Sequence, residues 1–260
     1  MKKLLSIGRK HISIIVAIVF VLIWQLAANF KLLPKYIIPS PLEIGNAFVR
    51  DWQFLAFHSQ ITLLEAIIGL SSGIIIAIIL ALIMDSFKIL NDAIYPILVV
   101  SQTIPTIAIA PILILWLGFG LLPKVILIVL TTAFPIVVAI LDGFRNCDKD
   151  LLTLLKVMKA SKWQILYHVK IPNSLPYFYA GLKVSVSYAF IAAVVAEWLG
   201  GFEGLGVYMI KAKKLFQYDT MFAIIILTSL ISLLSIYLVT ISEKKFIKWK
   251  YLGEENNEKN

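Results

Sequence analysis

The sequence predicts an all-α integral membrane protein of six transmembrane helices, with a short cytoplasmic helix between spans 4 and 5. Three observations carry this. Of the 260 residues, 60% are hydrophobic and only 15% charged, against roughly 45–50% and about 25% in ordinary globular chains. The apolar residues gather in runs long enough to cross a bilayer. The charges fall between those runs, with Lys and Arg crowded on one set of loops.

Taken in order, Ile12 to Phe30 is an apolar run broken only by Gln25 and Asn29. It follows Lys2, Lys3, Arg9 and Lys10, as a secretory signal would, but is longer than a signal core and lacks a small-residue cleavage site, so it reads as a retained anchor. The second span, 61–84, is about 36 Å long as a helix. From Ile89 to Leu122 the apolar run is too long for one crossing and contains Pro96, Pro105 and Pro111. One helix to Thr103 is expected there, followed by a broken segment buried against protein. Spans 125–141, 180–199 and 221–241 complete the six. The longest polar stretch, Asp142 to Tyr179, leaves no room for a soluble domain, so residues 1–260 form one membrane unit.

With the N-terminus inside, cytoplasmic segments hold 16 Lys and Arg and outer segments 7. Both termini are therefore expected in the cytoplasm. Lys183, within the fifth span near its cytoplasmic end, has a stem long enough to snorkel to the interface. The net charge of +9 forms no stripe on one face, which argues against nucleic acid and for a bilayer as partner.

Few residues invite catalysis. Gly69-Leu70-Ser71-Ser72-Gly73 matches the G-x-S-x-G of a hydrolase elbow, but lies inside a continuous apolar run where a strand and sharp turn are required. The same residues read better as G-x-x-x-G, with Gly69 and Gly73 letting two helices approach. His11, His58 and His168 fall at separate levels, and Cys147 is alone, so neither a triad nor a metal site is expected. No P-loop occurs, and Gly200 to Gly206 follows no strand, leaving turn or re-entrant structure as its use. No cofactor is implied. Glu65 and Glu197 sit toward outer ends of spans and either reach the interface or face a water-filled path. Ser185, Ser187 and Tyr188 offer hydroxyls on the fifth span for a path or for helix packing. A membrane enzyme or a scaffold protein is the alternative class, and an enzyme would need convergent nucleophile and base residues at one depth.

The cytoplasmic loop is the most informative polar segment. Leu151 to Val169 has helical periodicity with Lys156, Lys159, Lys162 and Trp163, and Pro172 is expected to stop the helix. Its residues Ala160-Ser161-Lys162-Trp163-Gln164-Ile165, then Val169-Lys170-Ile171-Pro172, Leu175-Pro176 and Ala180-Gly181-Leu182, resemble the coupling motif of permease subunits in binding-protein-dependent ABC importers. That motif is a Gly-Ala-Ser helix followed by I-x-L-P. Here Thr153-Leu154-Leu155 stands where the family has Glu-Ala-Ala, and Lys159 where it has glycine. The resemblance makes 151–176 the coupling segment, with Lys156, Lys159, Ala160, Ser161, Trp163, Ile171 and Pro172 as the residues that engage an ATPase.

Further likeness covers most of the chain. Ile38-Pro39-Ser40-Pro41, Pro105 to Pro111, Trp116-Leu117-Gly118-Phe119-Gly120 and Ala196-Glu197-Trp198 with Gly204-Leu205-Gly206 resemble the nitrate, sulfonate, taurine and thiamine-precursor branch. The run Ala196 to Met209 is most similar to permeases for the aminopyrimidine precursor of thiamine. The resemblance implies a bacterial plasma-membrane assembly of two permease copies, two cytoplasmic ATPases and an extracytoplasmic solute-binding protein. Aliphatic sulfonate, taurine and nitrate are the alternative solutes. In such an assembly Ser185, Ser187, Tyr188 and Glu197 are the path candidates.

Overall fold

The computed structural model describes residues 2–30 and 38–247. All regular structure among them is helical: α1 (Lys2–Asn29), α2 (Pro41–Arg50), α3 (Trp52–Ser86), α4 (Lys88–Thr103), α5 (Thr106–Leu117), α6 (Leu121–Arg145), α7 (Lys149–Val157), α8 (Lys162–Ile165), a π turn (Leu166–Lys170), α9 (Ile171–Gly200), α10 (Leu205–Lys214) and α11 (Tyr218–Phe246). Lys31, Lys35, Lys248, Lys250 and Lys259, which enter the orientation argument, lie outside the described residues.

Among the described residues, four helices are long and apolar enough to cross a membrane: α3, α6, the continuous run Lys162–Gly200, and α11. The α4 and α5 helices meet the same criterion only together and are bent by 102°, as a broken span or a re-entrant loop would be. The bend falls at Ile104-Pro105, because Pro105 has no N–H to continue the ladder and pushes Ile104 into an extended conformation (φ −79°, ψ 122°). The apolar part of α1, Ile15–Asn29, is shorter than the about 20 residues a crossing takes.

The core is built by α6, which packs on α9 along one side and on α3 along the other. Small residues make the α3 contact possible: a Cβ on Gly69 would lie 2.6 Å from Ile128 Cβ, and one on Gly73 would overlap the Thr132 hydroxyl. Ala77 and Ala81 continue that stripe, both fully buried with Ile128, Ile136 and Val137. Outward faces stay apolar and exposed, as at Ile75 and Ile79 on α3 and Leu233, Leu234 and Leu238 on α11. With lipid as the solvent, such faces are satisfied without further burial. Helix α2 starts in the Ile38-Pro39-Ser40-Pro41 motif, where Ser40 Oγ accepts from Glu43 N–H (3.2 Å) and Glu43 accepts in return from Ser40 N–H (2.9 Å). Pro41 occupies the first turn, where its missing N–H costs nothing.

The cytoplasmic segment differs from the single helix expected over 151–169. Helix α7 ends in a Schellman turn, with Lys159 N–H on Lys156 O (3.0 Å), Ala160 N–H on Leu155 O (2.9 Å) and Lys159 at φ 56°. Ser161 then caps α8, its hydroxyl accepting from Gln164 N–H while Gln164 Oε1 accepts from Ser161 N–H (2.7 Å). Periodicity registers side chains and not these backbone bonds, so it runs through the break. Pro172 does not stop the helix either. In the π turn Ile171 N–H reaches Leu166 O, five residues back, so the ladder is already shifted where the proline's missing N–H falls.

Candidate functional site

Three places in the fold concentrate polar groups. The first is a cavity of about 220 Å³ beside the α4–α5 break, where Ser101, Gln102, Thr106, Thr131 and Tyr188 stand among Ile104, Ile109, Leu130, Ile191 and Ala192. Gln102 Nε2 donates to Leu130 O (3.3 Å), near the middle of α6, so the break packs beside the central part of that helix. Among the described residues, no backbone N–H bonds the carbonyls of Gln102 or Thr103, which would have joined residues 106 and 107 in a straight helix. Backbone freed in this way is tolerated inside a bilayer where it is buried in protein or lines a wet cavity.

The second place is a buried polar knot. Glu65 and Lys124 form an ion pair at 2.5 Å with side chains only 5% and 8% exposed. Glu197 lies beside Glu65. It accepts from the Thr62 hydroxyl (2.7 Å) on one oxygen and from Gly206 N–H (2.5 Å) on the other. Thr62 Oγ1 accepts from Leu205 N–H (2.8 Å), and His58 Nδ1 from Gly204 N–H (3.0 Å). Side chains of α3 and α9 thus satisfy the first free N–H groups of α10, and a carboxylate sits at its positive end. Gly204, at φ 117°, has no room for a Cβ, which would overlap the Glu197 carboxylate. The glycine-rich run is therefore the lip of a carboxylate cradle. Glu65 and Glu197 are both buried, so neither reaches the interface.

The Lys183 ammonium meets Glu243 Oε2 of α11 at 2.5 Å, with the lysine side chain 32% exposed. Lys124, counted as an outer-loop charge, lies within α6. In both pairs a buried carboxylate and an ammonium each satisfy the other's lost hydration.

The third place is the α7–α8 turn. Leu154, Val157, Met158 and Trp163 are exposed there, Trp163 to 77%. Lys156, Lys159 and Ser161 are exposed beside them, and Ala160 is half-buried. Ile171 and Pro172 are half-buried and stand beyond the π turn, at the root of α9. The segment is tied to the bundle by Lys170, whose ammonium bonds both oxygens of Asp85 at 2.6 and 2.8 Å, and by Asn173 Nδ2 on Gly143 O (2.7 Å).

The path candidates do not share one surface. Tyr188 lines the cavity, Ser187 is half-buried, Glu197 is in the knot, and Ser185 is fully buried, donating to Thr132 O at 2.8 Å. Gln102, Thr106 and Thr131 were not legible as a site, although Pro105 signalled the break beside them. Nothing local in the sequence pairs Lys124 with Glu65 or Thr62 with Glu197.

Known proteins resemble this chain over most of its length. The inner membrane component of binding-protein-dependent transport systems matches over residues 73–248. The "Probable ABC transporter permease protein" of Haemophilus influenzae is 41% identical over 215 residues, 83% of this chain and 88% of that relative. The formylaminopyrimidine transport permease protein ThiX of Halalkalibacterium halodurans is 36% identical over 234 residues, 90% and 93% of the two chains. The riboflavin transport system permease protein RibX of Chloroflexus aurantiacus is 31% identical over 232 residues, 87% and 85% of the two chains. The crystal structure of an amino acid ABC transporter with histidines shares the fold, at a TM-score of 0.64 and 14% identity over 76% of this chain and 97% of that one. With its apolar helices and its match across most of its length, the chain belongs to the family of binding-protein-dependent transport system inner membrane components, as an ABC transporter permease subunit and not an enzyme.

Proposed function

We propose that this permease imports an aminopyrimidine precursor of thiamine. It would work as two copies crossing the membrane six times each, both termini cytoplasmic, with two cytoplasmic ATPases and an extracytoplasmic solute-binding protein. The observation that carries the solute is the similarity to a formylaminopyrimidine permease over nine-tenths of both chains. Support comes from the riboflavin relative, named for another planar nitrogen heterocycle, and from a cavity lined by hydroxyls, an amide and aliphatic groups without a charge.

The coupling role falls to the α7–α8 turn, whose exposed Trp163, Met158 and lysines suit a partner's groove. Asp85 and Lys170 would transmit its movement to α3 and α9. Closure of the ATPases on ATP would draw the two turns together and tilt the spans, and hydrolysis would restore the inward-facing state. Ser185, Ser187, Tyr188 and Glu197 remain path candidates, with Tyr188 the one on a cavity wall.

The test is growth. A host unable to make the thiamine pyrimidine, given this permease with its ATPase and binding protein, should grow on low levels of the precursor, and omission of any component should abolish growth. Uptake of taurine or an alkylsulfonate with no pyrimidine rescue would move the solute to the sulfonate group.

A further inference from the structure

We propose that the cavity at the α4–α5 break selects the solute in transit, and that it accepts an uncharged, single-ring planar amine and rejects anions. This rests on the importer reading above and deepens it by assigning the discriminating residues to this chain.

The size argument comes first. At about 220 Å³ the space is smaller than the roughly 300–1,000 Å³ of ordinary ligand pockets. A single ring with short substituents fits within it. Charge is the second discriminator. Among the described residues, no Lys, Arg, Asp or Glu lines the cavity. The buried ammonium of Lys124 is bound to Glu65 and is not on the cavity wall. An anion entering here would lose hydration with no cation to replace it. The polarity of the hydrogen-bonding groups is the third. The broken backbone leaves the Gln102 carbonyl and the Thr106 N–H, both on wall residues, without backbone partners among the described residues, so the site carries acceptors and donors alike. An exocyclic amine beside ring nitrogens matches both. Gln102 spends one amide N–H on Leu130 O, which leaves its second N–H and its carbonyl oxygen for a ligand. The Tyr188 hydroxyl makes no hydrogen bond among the described residues and can donate to a ring nitrogen, while Ile191 supplies an apolar face beside it. Among the described residues, the same wall offers a sulfonate no cation.

The test uses the complete transporter in proteoliposomes, with labelled aminopyrimidine precursor and labelled taurine as probes. Gln102→Leu and Tyr188→Phe should each lower pyrimidine uptake about three- to tenfold, the size of one lost hydrogen bond. Ile191→Trp, which fills the cavity, should nearly abolish it. Each variant is checked by co-purification with the ATPase. Tyr188→Phe removes only a hydroxyl with no intrachain partner, so it keeps the test decisive if the tryptophan variant fails to assemble. Wild-type uptake of the pyrimidine with all assembled variants within about twofold of it overturns the cavity assignment and leaves the importer reading standing. Wild-type uptake of taurine in place of the pyrimidine overturns the charge selectivity. Absence of any ATP-dependent uptake by the wild type overturns the proposed function itself.

Discussion

Lys159 carries a side chain on a left-handed backbone, and that conformation has a cost. At φ 56° it occupies the left-handed C′ position of the Schellman turn that ends α7. Glycine adopts that conformation freely, whereas a residue with a Cβ is disfavoured by about 1 kcal/mol. Lys159→Gly should therefore slow hydrogen exchange of the last α7 amides several-fold, and unchanged exchange would refute the strain. Lys124 makes the opposite case. Its pair with Glu65 is nearly dry, so Lys124→Met should destabilise the protein by about 3–5 kcal/mol, chiefly by stranding a buried carboxylate. The double variant with Glu65→Leu should recover most of the loss in thermal unfolding in detergent. A double variant no better than the single one would show that the pair does more than neutralise itself.

Between elements, the α3–α6 seam depends on having no side chain at Gly69 and Gly73. Gly73→Leu should lower the unfolding temperature and the yield of assembled transporter, because both helix axes would have to separate. Ser71→Ala should be nearly silent, since Ser71 is exposed and outside the seam. A hydrolase would show the reverse order. A second junction ties the α2–α3 corner to the start of α11. Arg50 bonds Asp51 at 2.9 and 3.1 Å and Asp219 at 2.9 Å, and the Thr220 hydroxyl donates to Asp51 at 2.6 Å. The hydrogen bonds from Arg50, then that from Thr220, hold the Asp51 carboxyl below the usual carboxylate range. A carboxyl depressed in the folded state contributes stability above its unfolded pKa of about 4, and that contribution is lost as pH falls through the folded value. Acidification below about pH 4 should loosen this corner, and Asp51→Asn should flatten the dependence. The effect should be at most about 1 kcal/mol, because Arg50 is half exposed and water screens it. Equal acid slopes for the two proteins in thermal unfolding would contradict this.

At the scale of the whole molecule, orientation is the property on which every functional assignment depends. If the α7–α8 turn is cytoplasmic, Ser161→Cys on a Cys147→Ser background should resist an impermeant thiol reagent in intact cells and react after permeabilisation. Labelling in intact cells would invert the topology and with it the docking role. Cys147 itself adds little background, being buried, and burial pushes its thiol up and away from the reactive thiolate. The described helices supply four long candidate spans and the bent α4–α5 pair, with the peripheral α1 touching mainly α2.

The sequence by itself determined the membrane class, the places of the apolar helices, the break at Pro105 and the family. Each is a local sum or a short motif: hydropathy over a window, a missing N–H, a run such as Ala160 to Ile165 read residue by residue. The capping box Ser161-x-x-Gln164 was equally local and its break was still missed, because side-chain periodicity continues across it. Only the tertiary structure decided what the buried polar residues do. Thr62 meets Glu197 from 135 positions away and Lys124 meets Glu65 from 59, so no local pattern ties the partners together. The physical reason is that a charge in an apolar run states a requirement for a partner without naming it. Packing of α3, α6, α9 and α10 supplies that partner, and converts the glycine run at 200–206 from a turn signal into the space around a carboxylate.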